Sequence, residues 1–386
     1  MALREDTRKD PGPWDRVTVT LVQTTVPEYR VELMNGLAAR FGIGFTLVAG
    51  AEYFDRTVRA ASTPELRVQP ATNRFLAGRR LLWQSGVWRR LIQSDIVICE
   101  LNPRVLSTWA VLIARRLVRR PTVLWGHAWP RRGPSSRSDL LRHVLRSLAS
   151  AVVVYSETQA RELRAHMPRH LVVAAPNALY FQANLSQNVV GGAMRDFLFV
   201  GRLIESKKPS LLIDAFSLVA HELPPKTRLV FVGDGPLRQG LAAAAGRSAV
   251  PERIAFTGEI TAPAELRALY ADSLASVIPG YAGLSLIQSL GFGVPALIAR
   301  DEPHSPEIEA AAPGENAVFF QSDSSQALGA ALVETAADRS TWIRRREAIA
   351  RRCARDYSVE AMVDRVAAVV DAVLARAPAR TRRVER

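Results

Sequence analysis

The sequence contains few cysteines and no long apolar run, and each shortage excludes a class of protein. Only two of its 386 residues are cysteine, Cys99 and Cys353, and their wide separation indicates neither a disulfide framework nor a metal-ligand spacing. No stretch approaches the ~18 uninterrupted apolar residues of a membrane-spanning helix. The N-terminal stretch MALREDTRKDPGPWD lacks the apolar core of a signal peptide. We therefore expect a cytoplasmic protein, either free or peripheral on the inner face of the cell membrane.

Positive charge is in excess and is unevenly distributed. The formal net charge is +14, and residues 1–185 hold 27 Arg and Lys against 14 Asp and Glu, so the first half alone accounts for +13. An excess confined to one half indicates a basic surface rather than general solubility. Anionic membrane, nucleic acid and acidic polysaccharide are the partner classes that such a surface attracts.

Short apolar runs that suit buried strands alternate with helical patterns along both halves of the chain. This alternation predicts two doubly wound α/β domains, and 386 residues are too many for one ordinary core. The predicted parts, in chain order, are an N-terminal domain over 1–185 with a disordered leader over 1–14, a linker over 186–195, a C-terminal domain over 196–355, a helix over 356–376 that packs back on the N-terminal domain, and a tail over 377–386.

Residues 79–94, RRLLWQSGVWRRLIQS, combine tryptophan, arginine and an apolar face. If they are helical, Leu81, Leu82, Trp88 and Leu91 share a face that four arginines border. Such a helix suits the surface of an anionic bilayer. The alternative is a core helix with a solvated basic face, and Gly86 in the middle weakens any helix prediction.

Residues 196–236 form the unit around which the second half is organised. The apolar run 197–200 stops at Gly201, a short loop carries Arg202, Lys207 and Lys208, and Pro209 opens a helical pattern. A second apolar run then ends in the turn GDGP. Loops at the carboxyl ends of parallel strands bind ligands, and fixed cations in such a loop suit a diphosphate.

Several of these segments, in order, resemble one enzyme family. VGRLIESKKPSLLIDAF, VGDGPL, FTG and PGYAGLSLIQSLGFGVPALIA are similar to the C-terminal domain of the large retaining glycosyltransferase family numbered four, and LWGHAW and VYSETQARELR resemble its bacterial branch. The resemblance implies a GT-B fold, with two Rossmann-like domains facing an interdomain cleft. It also implies a nucleotide-diphosphate sugar as donor, no cofactor and no metal ion.

The resemblance assigns roles to residues of the second half. Gly201, Arg202 and Lys207 match the turn and the basic pair that grip the donor diphosphate, whose developing negative charge fixed cations stabilise. Gly283, Leu284 and Ser285 begin a helix whose backbone amides suit phosphate. Lys208 stands where the family usually has glycine.

Two family glutamates are absent. Their positions fall on Gly280, which offers no side chain, and on Gln288, whose amide can still bond a ribose hydroxyl. Glu307 is our candidate for a carboxylate that faces the sugar or the nucleotide, the alternative being a solvated acid in the first turn of a helix. His127 matches the family histidine near the transferred sugar, and its alternative is a buried structural histidine.

The reading that fits best is an enzyme that transfers a sugar, with retained configuration, to a lipid-linked or polysaccharide acceptor in cell-surface glycan synthesis. Because both family glutamates are missing, a catalytically degenerate protein that binds glycan or membrane stays open. A sugar-nucleotide epimerase is a further alternative. Nucleic-acid binding is not expected, since no recognition motif accompanies the basic charge.

Overall fold

The computed structural model describes residues 17–55, 60–61, 68–130, 133, 136, 139–185 and 192–377. The leader over 1–14, most of the linker and most of the tail therefore lie outside the described residues. The backbone contacts divide the chain into one unit of Met1–Ala175 with Met362–Arg386, and a second unit of Pro176–Ala361. The boundary between the units thus falls ten residues before the predicted one, and the C-terminal helix lies mostly in the first unit.

The first unit is built on a seven-stranded sheet in the order β3-β2-β1-β6-β7-β8-β9. All of its pairings are parallel, and its inner strands are buried along most of their length, which explains their continuous apolar runs. A separate antiparallel hairpin joins β4 to β5. The strands are β1 Val19–Gln23, β2 Phe45–Ala49, β3 Val68–Pro70, β4 Thr72–Leu76, β5 Leu81–Ser85, β6 Ile96–Glu100, β7 Thr122–Trp125, β8 Ala151–Val154 and β9 Leu171–Ala174.

Helices connect these strands, and apolar side chains from both fill the core. Arg115 is also fully buried, because its guanidinium donates to the carbonyls of Leu91, Ser94 and Pro121. It thereby ties one helix to the starts of two strands. The helices of this unit before the boundary are α1 Val31–Phe41, α2 Trp88–Gln93, α3 Leu106–Leu117, α4 Asp139–Leu148 and α5 Glu157–His166.

The predicted helix over 79–94 is wrong for most of its length. Residues Leu81–Ser85 are strand β5, whose alternating half-buried and buried positions show a pattern of period two. Gly86 has φ +90, a conformation that other residues rarely adopt, so it separates the strand from the short helix α2. The apolar side chains at 81, 82, 88 and 91 therefore do not share one helical face.

The second unit has a six-stranded parallel sheet in the order β12-β11-β10-β13-β14-β15. The predicted doubly wound α/β class is thus confirmed for both units. Strand β15 was not predicted, because its four residues follow a turn-rich stretch without a clear boundary. The strands are β10 Asp196–Val200, β11 Leu229–Val232, β12 Ile254–Gly258, β13 Ser273–Ile278, β14 Ala296–Ala299 and β15 Ala317–Phe320.

Helices cover this second sheet, and one long helical pattern near its end is interrupted. The Arg-rich stretch over 325–357 forms two helices that meet at Asp338. The remaining helices are α6 Gln182–Leu185, α7 Pro209–Val219, α8 Arg238–Gly246, α9 Pro263–Asp272, α10 Leu284–Gly291, α11 Ser325–Ala337, α12 Arg339–Tyr357 and α13 Val359–Arg376. Among the described helices, none is both long and apolar enough to cross a bilayer.

Candidate functional site

The sheet of the second unit has a switch point between β10 and β13. The chain leaves β10 toward β11 and β12 on one side and returns to β13 on the other. Loops at the carboxyl ends of two such strands enclose a crevice in which α/β proteins bind ligands. Here the loops after β10 and β13 touch, since the amide of Tyr281 donates to the carbonyl of Ser206 at 2.9 Å.

The loop after β10 opens with Gly201 and Arg202. Gly201 has φ +150 and donates its amide to Val232 at 2.9 Å, so the glycine turns that end β10 and β11 lie against each other. Arg202 is exposed, and its guanidinium makes no hydrogen bond or ion pair with the described residues. The loop thus presents one unneutralised cation at the edge of the sheet.

Lys207 supplies the second cation of this loop and lies deeper. Its Nζ donates to the carbonyl of Tyr281 at 2.6 Å and lies 4.7 Å from the centroid of that ring. Burial lowers the pKa of Lys207 to about 8, while the negative charge of Glu307 opposes this shift. The ammonium group is therefore poorly compensated, and an anionic ligand would stabilise it.

Gly280, where the family has a glutamate, lies against the backbone of the loop that carries Lys207. A Cβ at position 280 would lie 2.5 Å from the carbonyl oxygen of Ser206 and 2.8 Å from the carbonyl carbon of Lys207. Real Cβ atoms do not approach backbone so closely, so glycine is required for this contact between the loops. The missing side chain is thus a packing requirement of this chain.

Glu307 is buried, with 6 % of its surface exposed, so it is not the solvated acid of the alternative reading. It lies in a short 3-10 helix, Pro306–Ala310, beyond β14. One carboxylate oxygen accepts from Asn177 Nδ2 at 2.6 Å, and the other accepts from the hydroxyl of Ser305. The negative charge of this carboxylate acts on Lys207 and raises its pKa, against the effect of burial.

The start of helix α10 completes the group. Gly283 is its N-cap, and a Cβ there would lie 3.8 Å from both Lys207 Nζ and Ser305 Oγ. The first amides of a helix, here those of Leu284 and Ser285, have no partner within the helix and suit an anion. Lys207, Glu307 and Gly283, three of the predicted site residues, thus come from three separate loops and lie in one group in the structure.

Gln288, at the position of the second family glutamate, is held between two tyrosines. Its Nε2 donates to the Tyr180 hydroxyl at 2.6 Å, and its Oε1 accepts from the Tyr270 hydroxyl at 3.2 Å. Each amide atom keeps capacity for one further hydrogen bond. Burial raises the pKa of Tyr180, so this hydroxyl stays protonated and can itself donate.

Two residues of this region position the loops rather than face a ligand. The imidazole of His304 accepts from the amide of Ala282 at 3.0 Å and donates to the carbonyl of Ala299 at 2.8 Å, and burial lowers its pKa. Lys208 has φ +48, a left-handed conformation that suits the glycine which the family resemblance leads us to expect there. Its Nζ pairs with Glu302 and Asp323, each at 2.5 Å.

In the first unit, His127 follows β7 at the carboxyl edge of the other sheet. It is exposed, contrary to the alternative of a buried histidine, and its ring centroid lies 4.8 Å from that of Tyr155. Nearby, Arg30 donates to the Tyr155 hydroxyl at 2.7 Å. Glu100 accepts from the amide and hydroxyl of Thr24, at 2.7 and 2.6 Å, and burial raises its pKa.

Sequence reasoning missed Arg30, Tyr155, Asn177 and Ser305. Asn177 in PNAL and Ser305 in HSPE each follow a strand end, and that position was the available signal. Within the described residues, no three His, Cys, Asp or Glu side chains are grouped closely enough to hold a metal ion. The predicted independence of metal and the predicted cleft between the units stay predictions.

Known proteins are similar to this chain over the region that contains these loops. Residues 184–352 match the family Glycosyl transferases group 1. No curated protein is significantly similar to the chain. Among solved structures, Anabaena Alr3699/HepE in complex with UDP is 16% identical, covers 92% of this chain and 100% of its own, and has a TM-score of 0.68.

Two other solved structures are similar over nearly their whole length. The lipopolysaccharide outer core galactosyltransferase WaaB, in its apo form, is 12% identical over 92% of this chain and 99% of its own, with a TM-score of 0.64. Sucrose-phosphate synthase from Thermosynechococcus elongatus is 16% identical over 93% and 100%, with a TM-score of 0.63. These likenesses confirm the GT-B fold that the motifs indicated, with two Rossmann-like domains.

Proposed function

We propose that this protein is a glycosyltransferase that moves a sugar from a nucleotide-diphosphate donor to a lipid-linked or polysaccharide acceptor in cell-surface glycan synthesis. The transfer is proposed to retain the anomeric configuration and to need no metal ion. The observation that carries the proposal is the group formed by Lys207, Glu307 and the start of α10 at the switch point of the second sheet. The family match over 184–352 covers the same residues.

The proposed chemistry follows from the charges in these loops. Breaking the bond between sugar and phosphate leaves negative charge on the diphosphate, and Arg202, Lys207 and the first amides of α10 stabilise that charge. Gln288 and the Tyr180 hydroxyl, which it holds, bond the ribose. The departing phosphate oxygen helps to deprotonate the acceptor, so no general base is required. His127 is proposed to contact the transferred sugar or the acceptor.

The donor base and acceptor are proposed from the relatives. The HepE structures hold UDP, and WaaB is a lipopolysaccharide outer core galactosyltransferase, so UDP and a lipid-linked glycan are the first probes. The uneven basic charge of the first half suits an acceptor that is anionic or lies on a membrane.

The proposal is tested in two steps. First, a panel of nucleotide sugars, with UDP alone, is screened for an increase in Tm, because a ligand of the folded state raises it. Then release or transfer of the sugar is measured with the nucleotide sugar that binds. Arg202→Ala should lower kcat by about 10²–10³-fold. Arg247→Ala removes an exposed arginine at the end of α8 and should leave kcat unchanged.

A binding protein without catalytic activity is the second candidate. It is favoured by the absence of any side chain at Gly280 and by the two tyrosines that already engage Gln288. Under this alternative UDP raises the Tm, yet no nucleotide sugar of the panel is hydrolysed or transferred in the presence of lipid-linked or polysaccharide acceptors. Turnover that Arg202→Ala abolishes would exclude it.

A further inference from the structure

A cavity of about 260 Å³ lies in the first unit, at the amino edge of its sheet. The starts of β7 and β8 form its floor, at the edge opposite to the loop that carries His127. The ends of α3 and α13 form its walls, through Leu112, Arg116, Val373 and Arg376. None of the residues proposed above to bind the sugar donor or the glycan acceptor lines this cavity.

The walls of this cavity are positively charged. Arg116, Arg119, Arg120 and Arg376 contribute to them, and no acidic side chain is among the described residues that line the cavity. Arg120 is engaged, since it donates to the carbonyl of Ser94 at 3.0 Å and lies 3.9 Å from Asp95. The other three make no side-chain hydrogen bond or ion pair with any residue in the described ranges. These three unpaired guanidinium groups favour the binding of an anionic ligand.

Exposed apolar side chains lie beside these arginines at the end of α3, and others lie along the neighbouring helix α4. Leu117 is 79% exposed, and Ile113 one turn before it and Val118 just after it are also exposed. The neighbouring helix α4 adds three more, Leu140, Leu141 and Val144. Thus six of the eleven large apolar side chains that are exposed in the described part of the chain belong to this pair of helices. Such a concentration marks an interaction surface.

We propose that this face of the first unit binds an anionic lipid bilayer, with the phosphate of one lipid headgroup in the cavity between Arg116, Arg119 and Arg376. A free phosphate or a nucleic acid would use the arginines alone and leave the apolar side chains in water. A bilayer satisfies both, because the headgroups meet the guanidinium groups and the acyl region covers Leu117 and its neighbours. The proposal does not depend on the glycosyltransferase activity.

This surface replaces residues 79–94 as the membrane contact. The predicted contact required one helical face, and the structure divides that stretch between a hairpin and a short helix. The charge that motivated the prediction remains in the same half of the chain, but its unpaired arginines lie at the end of α3, next to the exposed Leu117 and Val118.

The test uses the full-length protein and vesicles of phosphatidylcholine with or without phosphatidylglycerol, measured by co-sedimentation. We expect binding that requires phosphatidylglycerol and weakens with salt. Each arginine near such a surface strengthens binding roughly fivefold. The variant R116Q/R119Q/R376Q should therefore bind roughly a hundredfold more weakly. The variant R74Q/R80Q/R89Q removes the same charge from exposed positions of the same unit and should bind nearly as well as the unchanged protein.

A second variant separates a bilayer from a soluble polyanion. L117Q/L141Q changes two exposed residues, so folding is preserved, and it should lose most vesicle binding while its retention on an oligonucleotide column is unchanged. The proposal is overturned if the control triple loses as much vesicle binding as R116Q/R119Q/R376Q, or if L117Q/L141Q binds vesicles normally. UDP-induced stabilisation, measured on the same variants, should be unaltered, which keeps this outcome distinct from failure of the proposed enzymatic function.

Discussion

Donor binding should depend on pH through Lys207. Burial lowers the pKa of this lysine to about 8, its Nζ donates to the carbonyl of Tyr281 at 2.6 Å, and the negative charge of Glu307 opposes the shift. A diphosphate binds the protonated form. Because the unliganded pKa lies well below that of a free lysine, affinity is fully present only well below pH 8 and is lost as pH rises through 8.

The size of the effect follows from the protonated fraction. With a pKa of about 8, roughly nine tenths of Lys207 is charged at pH 7 and roughly one tenth at pH 9. The Kd for UDP should therefore increase about tenfold over this interval, which corresponds to about 1.4 kcal/mol. Isothermal titration calorimetry measures it directly, and repeating the titration in buffers of different ionisation enthalpy measures the proton taken up on binding.

Lys207→Arg is the matched variant for this experiment. A guanidinium stays protonated across the whole range, so the variant should bind UDP with a Kd that does not change between pH 7 and 9. A Kd that is flat with pH in the unchanged protein would refute the reasoning. An equal slope in Lys207→Arg would assign the titration to another group.

Three further predictions concern the same loops. Gly280→Ala should lower the free energy of unfolding by about 1–3 kcal/mol and weaken UDP binding, because the added Cβ would clash with the Ser206 carbonyl. In a thermal scan of both variants, the control Gly240→Ala, in an open helical position, should instead raise Tm. Glu307→Gln should shift the pH at which UDP affinity falls to a lower value, since the carboxylate raises the pKa of Lys207; an unchanged midpoint in calorimetry would contradict this. Lys208→Gly should change the free energy of unfolding by less than about 1 kcal/mol in urea titration, because the relief of a left-handed φ offsets the loss of two surface ion pairs. A larger loss of stability would show that those ion pairs hold the loop in place.

The fold was predictable because its signals are local. Runs such as 197–200 and 296–299 are apolar throughout and end at a turn, and parallel strands covered on both faces require that pattern. The hairpin of β4 and β5 was missed because its short strands are half-exposed and carry arginine and tryptophan. That composition fits a helix equally well. The φ of +90 at Gly86, which ends the strand, is visible only in the structure.

The site was predictable only in part. Lys207 and Gly283 could be predicted because each lies within a few residues of an apolar run that ends at a turn. Such a pattern is visible in a short segment of sequence. The partners of Glu307 could not be found in that way, because Asn177 lies 130 positions away in sequence and reaches the carboxylate only through the tertiary fold. The burial that lowers the pKa of Lys207 is likewise a property of the packed loops.

Gly280 and Glu307 are best understood together. From the sequence alone, Gly280 is interpreted as a lost residue, since the family that the motifs resemble usually has a glutamate there. In the structure, the space of that side chain is occupied by the backbone of Ser206 and Lys207, and this close approach seats Lys207 Nζ against the carbonyl of Tyr281. A buried cation in that position needs an anion nearby, and the loop after β14 supplies Glu307, held by Asn177 and Ser305. Glu307 thus gives this site a buried carboxylate although position 280 carries no side chain, so the missing glutamate is not by itself evidence of an inactive protein.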